Sequence, residues 1–130
     1  MGIVDEFARY KAKLRNRFYD ISAEVGPETV LSLWRHRISV EGGRWIYRDH
    51  LSRWSGLGNE QFARHLKTAF DEKRPIRVVV ATTDNPALVE AGGDASTANN
   101  TFKARPDWVG RVEAFDGNHF TIGFDRVQAG

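Results

Sequence analysis

The stretch Ile76-Arg77-Val78-Val79-Val80-Ala81-Thr82-Thr83 decides how the rest of the chain is read. It is a continuous β-branched run with one charge, preceded by Pro75 and followed by Asp84-Asn85-Pro86. Apolar residues at consecutive rather than alternate positions are the pattern of a strand buried on both faces. The segment is therefore predicted to be a central strand.

On its C-terminal side, residues 84–107 hold no periodic pattern. They include Gly92-Gly93-Asp94, Ser96-Thr97 and Asn99-Asn100, with Leu88 and Val89 allowing one short helical turn. A loop of this length inside a small domain is uncommon, and such loops are usually functional or disordered. Its end, Phe102-Lys103-Ala104-Arg105-Pro106-Asp107-Trp108, places two cations beside two aromatics. That suits a flap over a ligand or a nucleic-acid backbone.

Residues 108–126 read as a hairpin. A three-residue turn, Asp116-Gly117-Asn118, pairs Phe115 with His119, Ala114 with Phe120, Val112 with Ile122 and Gly110 with Phe124. This register gathers the apolar residues on one face, which a two-residue Asp-Gly turn does not. Gly110 and Gly123 within the strands point to a close backbone approach or a bend.

On the N-terminal side, Phe62, Leu66, Ala69 and Phe70 recur at helical spacing after Asn59, a good N-cap, and before Pro75, so 59–73 is predicted to be a helix. Residues 37–48 form a second hairpin about Gly42-Gly43, pairing Glu41 with Arg44, Val40 with Trp45 and Ile38 with Tyr47. Arg37 and Arg48 then face each other, an arrangement that calls for an anion or a carboxylate such as Asp49 between them. A short helix at 48–54 before the 59–73 helix would give a helix-turn-helix outline, with Gln61, Arg64, His65 and Thr68 toward bases. Residues 28–37 are compatible with a short helix or a strand. Ile3, Phe7, Tyr10, Leu14, Phe18 and Ile21 form one apolar stripe, so 3–24 is predicted to be a long amphipathic helix ending at Gly26-Pro27.

The expected architecture is α+β in a single domain, 1–130. A small, strongly bent or barrel-like, mostly antiparallel sheet of about five strands carries the long N-terminal helix and a second helix packed on it.

Composition narrows the function. The chain has 130 residues, 41% hydrophobic and 28% charged, with a formal net charge of +2. It has no Cys, which excludes disulfides, thiolate metal sites and a cysteine nucleophile. No apolar run is long enough to span a bilayer, so no membrane is expected. The N-terminus lacks the features of a signal peptide, and a cytoplasmic protein is expected. His36, His50, His65 and His119 show no metal-ligand spacing, and neither a G-x-S-x-G elbow nor a phosphate-binding P-loop is present. No metal, cofactor or catalytic residue is assigned, and an enzyme is the less favoured reading.

Charge is uneven. Residues 1–74 hold 14 Lys+Arg against 10 Asp+Glu, whereas 75–130 hold 5 against 7. The densest excess lies in 31–54, where arginines alternate with aromatics. Guanidinium groups fork onto phosphates and aromatic faces stack on bases, so this composition suits nucleic acid, DNA favoured over RNA. The phosphate-contacting candidates are Arg35, Arg37, Arg44, Arg48 and Arg53, joined by Lys103 and Arg105 from the long loop. Trp45, Tyr47 and Trp54 are the candidates for stacking. A protein-interaction or regulatory module, or a homodimer, using the 3–24 helix is the alternative. A third reading is a small enzyme or ligand-binding domain built on Asp84 with Asp94 or Asp107.

Overall fold

The computed structural model describes residues 2–14, 20–53, 56–93, 95 and 98–127. In chain order the elements are α1 (Ile3–Ala8), β1 (Ser22–Val25), β2 (Glu28–Trp34), β3 (Ile38–Glu41), β4 (Arg44–His50), α2 (Leu57–Glu72), β5 (Ile76–Thr83), α3 (Pro86–Glu90), β6 (Asn100–Ala104), β7 (Trp108–Phe115) and β8 (His119–Arg126). Single 3₁₀ turns at Arg35–Arg37 and Leu51–Arg53 join β2 to β3 and follow β4.

The strands form one open mixed sheet in the order β1-β2-β5-β7-β8-β4-β3, with β6 also paired to β5. Strands β2 and β5 run parallel and the other pairs antiparallel. This corrects the expected five-strand, barrel-like sheet. Eight strands are present among the described residues, and of the three helices only α2 is long.

The long N-terminal helix is also corrected. Helix α1 stops at Ala8, and Lys11 takes a left-handed φ of 61° that no continuing helix tolerates. Residues 22–25 are a strand, and Gly26-Pro27 is the two-residue turn of a β1–β2 hairpin rather than a helix end. Gly26 supplies the positive φ of 53° that this turn needs, and the proline ring constrains the next residue. The apolar stripe was a true burial signal attached to the wrong element. Phe7, Ala12 and Leu14 are buried, but against the sheet. Phe18 lies outside the described residues.

The ambiguous segment 28–37 is strand β2 and a 3₁₀ turn. No helix occupies 48–53, because β4 continues to His50 and only one 3₁₀ turn follows. The helix-turn-helix outline is therefore not formed. Within the long loop, α3 and β6 are formed. Helix α3 is capped by Asn85, whose Oδ1 accepts from the Leu88 amide at 3.1 Å.

The central strand is where the sequence placed it. Val78 and Val79 are both fully buried, yet they belong to clusters on opposite faces of the sheet. On one face Val78 packs with Phe62, Leu66 and Ala69 of α2 and with Tyr47, Ile122 and Phe124. On the other, Val79 packs with Phe7, Leu14, Val30 and Ala104. The β3–β4 register is the expected one, Glu41↔Arg44, Val40↔Trp45 and Ile38↔Tyr47. In the β7–β8 hairpin, Val112↔Ile122 and Gly110↔Phe124 are as expected, but Ala114 pairs with Thr121 and Phe115 with Phe120. A register shift between Val112 and Ala114 moves the tip by one residue. It keeps Phe115 on the core side, edge-on to Phe70 of α2 with centroids 6.1 Å apart.

Candidate nucleic-acid interface

Strand β4 alternates, and alternation sorts its functional side chains. Trp45, Tyr47 and Asp49 lie on the face covered by α2, whereas Arg44, Ile46, Arg48 and His50 lie on the other. At the His50 end, β4 meets the tip of the β7–β8 hairpin. A cleft opens there, with a volume of about 460 Å³. Ala114 and Phe115 are among its apolar lining, Phe120 being buried beneath, and Arg37, Arg48, His50 and His119 bring polar and cationic edges beside Asp49 and Asp116. Asp116 holds the hairpin tip, its Oδ1 accepting from the amides of Asn118 and His119 at 2.9 and 2.7 Å. His50 and His119 are cross-strand partners with ring centroids 5.5 Å apart.

Behind the cleft lies a buried ionic cluster. Asp49 accepts from the Tyr47 hydroxyl at 2.7 Å and from Nε and Nη2 of Arg53 at 2.9 and 2.6 Å. The side chains of Asp49 and Arg53 are 0% and 4% exposed. Burial, and then the neighbouring Asp49 charge, push the Tyr47 hydroxyl well above its ordinary pKa. Arg53 also donates through Nη1 to the Val89 carbonyl at 3.1 Å, which ties α3 to the sheet.

Arg37 bridges this cluster to α3. Its Nη1 donates to the Arg48 carbonyl at 3.0 Å, and its Nε lies 3.4 Å from Asp49 Oδ1. Its Nε also donates to Glu90 Oε2 at 2.8 Å, and its Nη2 bonds to Oε1 of the same carboxylate. His36 Nε2 reaches Glu90 Oε2 at 2.8 Å. The fork from Arg37, and after it the contact with His36, hold the Glu90 carboxyl down at about 2 against the opposing effect of burial.

The other candidates fall in several places. Arg44 donates to Asp125 at 2.8 Å and to Glu113 at 2.7 Å. Arg48 pairs with Glu41 but leaves 58% of its side chain exposed. Arg35 is exposed on the 3₁₀ turn, and Lys103 is exposed on β6. Arg105 pairs with Asp107 at 2.8 Å and lies over the Trp108 ring at 4.3 Å. Trp45 stacks on Trp108 at a centroid distance of 4.3 Å, partly buried. Tyr47 is fully buried and presents no face to a base. Trp54 lies outside the described residues. The structure thus brings Arg37 and Arg48 to one cleft and sets Arg44 farther along the same strand. It puts Lys103 and Arg105 on and after β6, away from the cleft lining. The two facing arginines, 37 and 48, meet carboxylates, Glu90 and Glu41, rather than a shared Asp49 alone.

The carboxylates of the small-enzyme reading are engaged locally. Asp84 accepts from the backbone and side-chain amides of Asn99 at 3.0 and 3.1 Å, Asp107 is held by Arg105, and Asp94 lies outside the described residues. Among the described residues no group of three or more His, Asp or Glu is placed to hold a metal ion, and no helix is long and apolar enough to cross a membrane.

Sequence reasoning missed Glu90 and Phe115. Phe115 carried a signal, as the last apolar residue before a turn. Glu90 carried none, because its role depends on where α3 docks. Comparison with protein-family models, with curated proteins and with solved structures found no match to this chain.

Proposed function

We propose that the protein is a small nucleic-acid-binding module without catalysis of its own, with DNA as the first ligand to test. One observation carries the reading: a cleft with aromatic surface lies at the end of a strand that presents Arg44, Arg48 and His50 on one face. Residues 44 and 48 are four apart on a strand, roughly 13 Å. That is enough to meet two phosphates of an extended strand, with an unstacked base entering the cleft beside the His50 and His119 rings, which share the face of Arg48.

The carboxylates on these arginines do not remove them from use. Exposed ion pairs contribute little, so a phosphate can take the place of Glu41 on Arg48 at small cost. Guanidinium groups pair bidentately with phosphate as readily as with carboxylate. The helix-mediated alternative loses its premise, since the residues of its stripe that lie among the described ones are largely spent on this chain's own core.

The test is the double variant Arg44→Ala with Arg48→Ala. Both side chains are on the outer face, so circular dichroism should show an intact fold. Affinity for a labelled oligonucleotide should drop by at least about tenfold, the loss expected for two phosphate contacts at low salt. Unchanged affinity in the folded variant rejects the assignment.

A further inference from the structure

We propose that Arg37 and His36 form a phosphate-binding site which the chain's own Glu90 carboxylate occupies in the unliganded protein. The inference deepens the nucleic-acid reading by naming where a phosphate is taken. The anion site itself stands on geometry alone.

The Arg37 guanidinium is held by groups other than Glu90. Its Nη1 is fixed by the Arg48 carbonyl, and the buried Asp49 carboxylate lies 3.4 Å from Nε. The Nε/Nη2 edge is thereby fixed in direction, and it is this edge that Glu90 bridges with both oxygens. His36 adds a third contact to Oε2. Two guanidinium donors and one imidazole converging on two oxygens make an arrangement that fits phosphate as well as carboxylate. Arg35, exposed one residue before His36, adds positive charge to the same turn.

Glu90 can leave without unfolding anything. Helix α3 is anchored by Val89, which is buried and whose carbonyl accepts from Arg53, and by Gly92, which sits so close to the Arg53 carbonyl that a Cβ there would lie 2.3 Å from its oxygen. The Glu90 side chain is 38% exposed. Rotation of that one side chain uncovers the fork while the helix stays docked. Arg37 also lines the cleft, so a phosphate on it would be next to a base held there.

The experiment follows the Arg37 Nε–Hε and His36 ring signals by NMR during a titration with inorganic phosphate. Wild type, Glu90→Gln, Arg37→Gln and the double variant are compared. Glu90→Gln should tighten phosphate binding about fivefold, the size of one exposed ion pair removed from competition. Arg37→Gln should abolish binding in either background. A folded Glu90→Gln protein with unchanged or weaker phosphate binding overturns the proposal. Should Glu90→Gln fail to fold, phosphate binding by wild type that survives Arg37→Gln overturns it equally.

A second arm separates the two sources of phosphate. The Glu90→Gln protein is titrated with an oligonucleotide carrying or lacking a 5′-phosphate. Preference for the phosphorylated strand supports the site as part of a nucleic-acid interface. Phosphate binding with no affinity for either oligonucleotide keeps the anion site and removes the nucleic-acid reading.

Discussion

Arg53 forks onto both carboxylate oxygens of Asp49 at 2.9 and 2.6 Å, with almost no part of either side chain exposed. Removing one partner leaves the other charged and buried. Asp49→Ala should therefore destabilise the protein by about 3–5 kcal/mol, the range for a broken buried pair. Replacing both, as Asp49→Leu with Arg53→Met, should cost clearly less than the sum of the two single changes. Denaturant melts of wild type, Asp49→Leu, Arg53→Met and the double variant check this, and additive losses would contradict it.

Gly110 sits opposite Phe124 across β7 and β8, against the Gly123 carbonyl, with no room for a side chain. A Cβ on Gly110 would lie 2.6 Å from the Gly123 carbonyl oxygen and 2.6 Å from Phe124 Cδ1. Gly110→Ala should cost about 1–3 kcal/mol through overpacking. Gly117→Ala has open space around it but a φ of +99°, so its smaller loss should come from backbone strain alone. Thermal melts that rank the two in the opposite order would contradict the packing argument.

Two tyrosines should resist alkali. The Tyr10 hydroxyl donates to the Val78 carbonyl at 2.7 Å, and burial raises its pKa to about 12. Tyr47 is raised well above 10, again by burial first. Neutral phenols are thus favoured by the fold. Their contribution to stability is complete below pH 10 and is lost as pH rises toward 12 and beyond. Ultraviolet difference spectra should show Tyr10 ionising only near 12, and Tyr47 only well above 10 or with unfolding. Ionisation of all three tyrosines near pH 10 in a folded protein would contradict this.

Acid should act through the opposite sign. Arg37 lowers Glu90 from 4.5 to about 2, and Arg48 lowers Glu41 from 4.5 to about 2. A depressed carboxyl stabilises the fold above its ordinary value, and that contribution is lost as pH falls from 4.5 toward 2. Glu90→Gln should flatten the stability profile in that window and leave it unchanged in shape from pH 5 to 8. An identical acid limb in wild type and variant would contradict the pairing.

The parts of the fold legible in the sequence are those set by local rules. The Val78–Val80 run identified the central strand, and Gly42-Gly43 with its flanking charges set the β3–β4 register to the residue. The 59–73 helix appeared as Leu57–Glu72. The parts that were not legible depend on tertiary context. Phe7 and Leu14 satisfy helical spacing, yet only Phe7 lies in the short α1, and the chain beyond it buries Leu14 against the sheet without being a helix. Strand β6 has almost no apolar alternation, because it is fixed by pairing with β5 through residues such as Lys103↔Val80. In the candidate site, arginine and aromatic composition pointed to the β3–β4 ribbon and to Arg37 and Arg48. Their carboxylate partners, Glu90 at 53 residues from Arg37 and Glu41 across the hairpin, are decided by the fold.

The most direct test of the central claim is a fluorescence-anisotropy titration of labelled single-stranded DNA, with RNA and duplex DNA alongside, at about 50 and 200 mM salt. Two phosphate contacts on Arg44 and Arg48 predict that affinity for single-stranded DNA falls roughly sevenfold between those concentrations. Absence of binding at the lower salt, in a protein shown to be folded, would contradict the account.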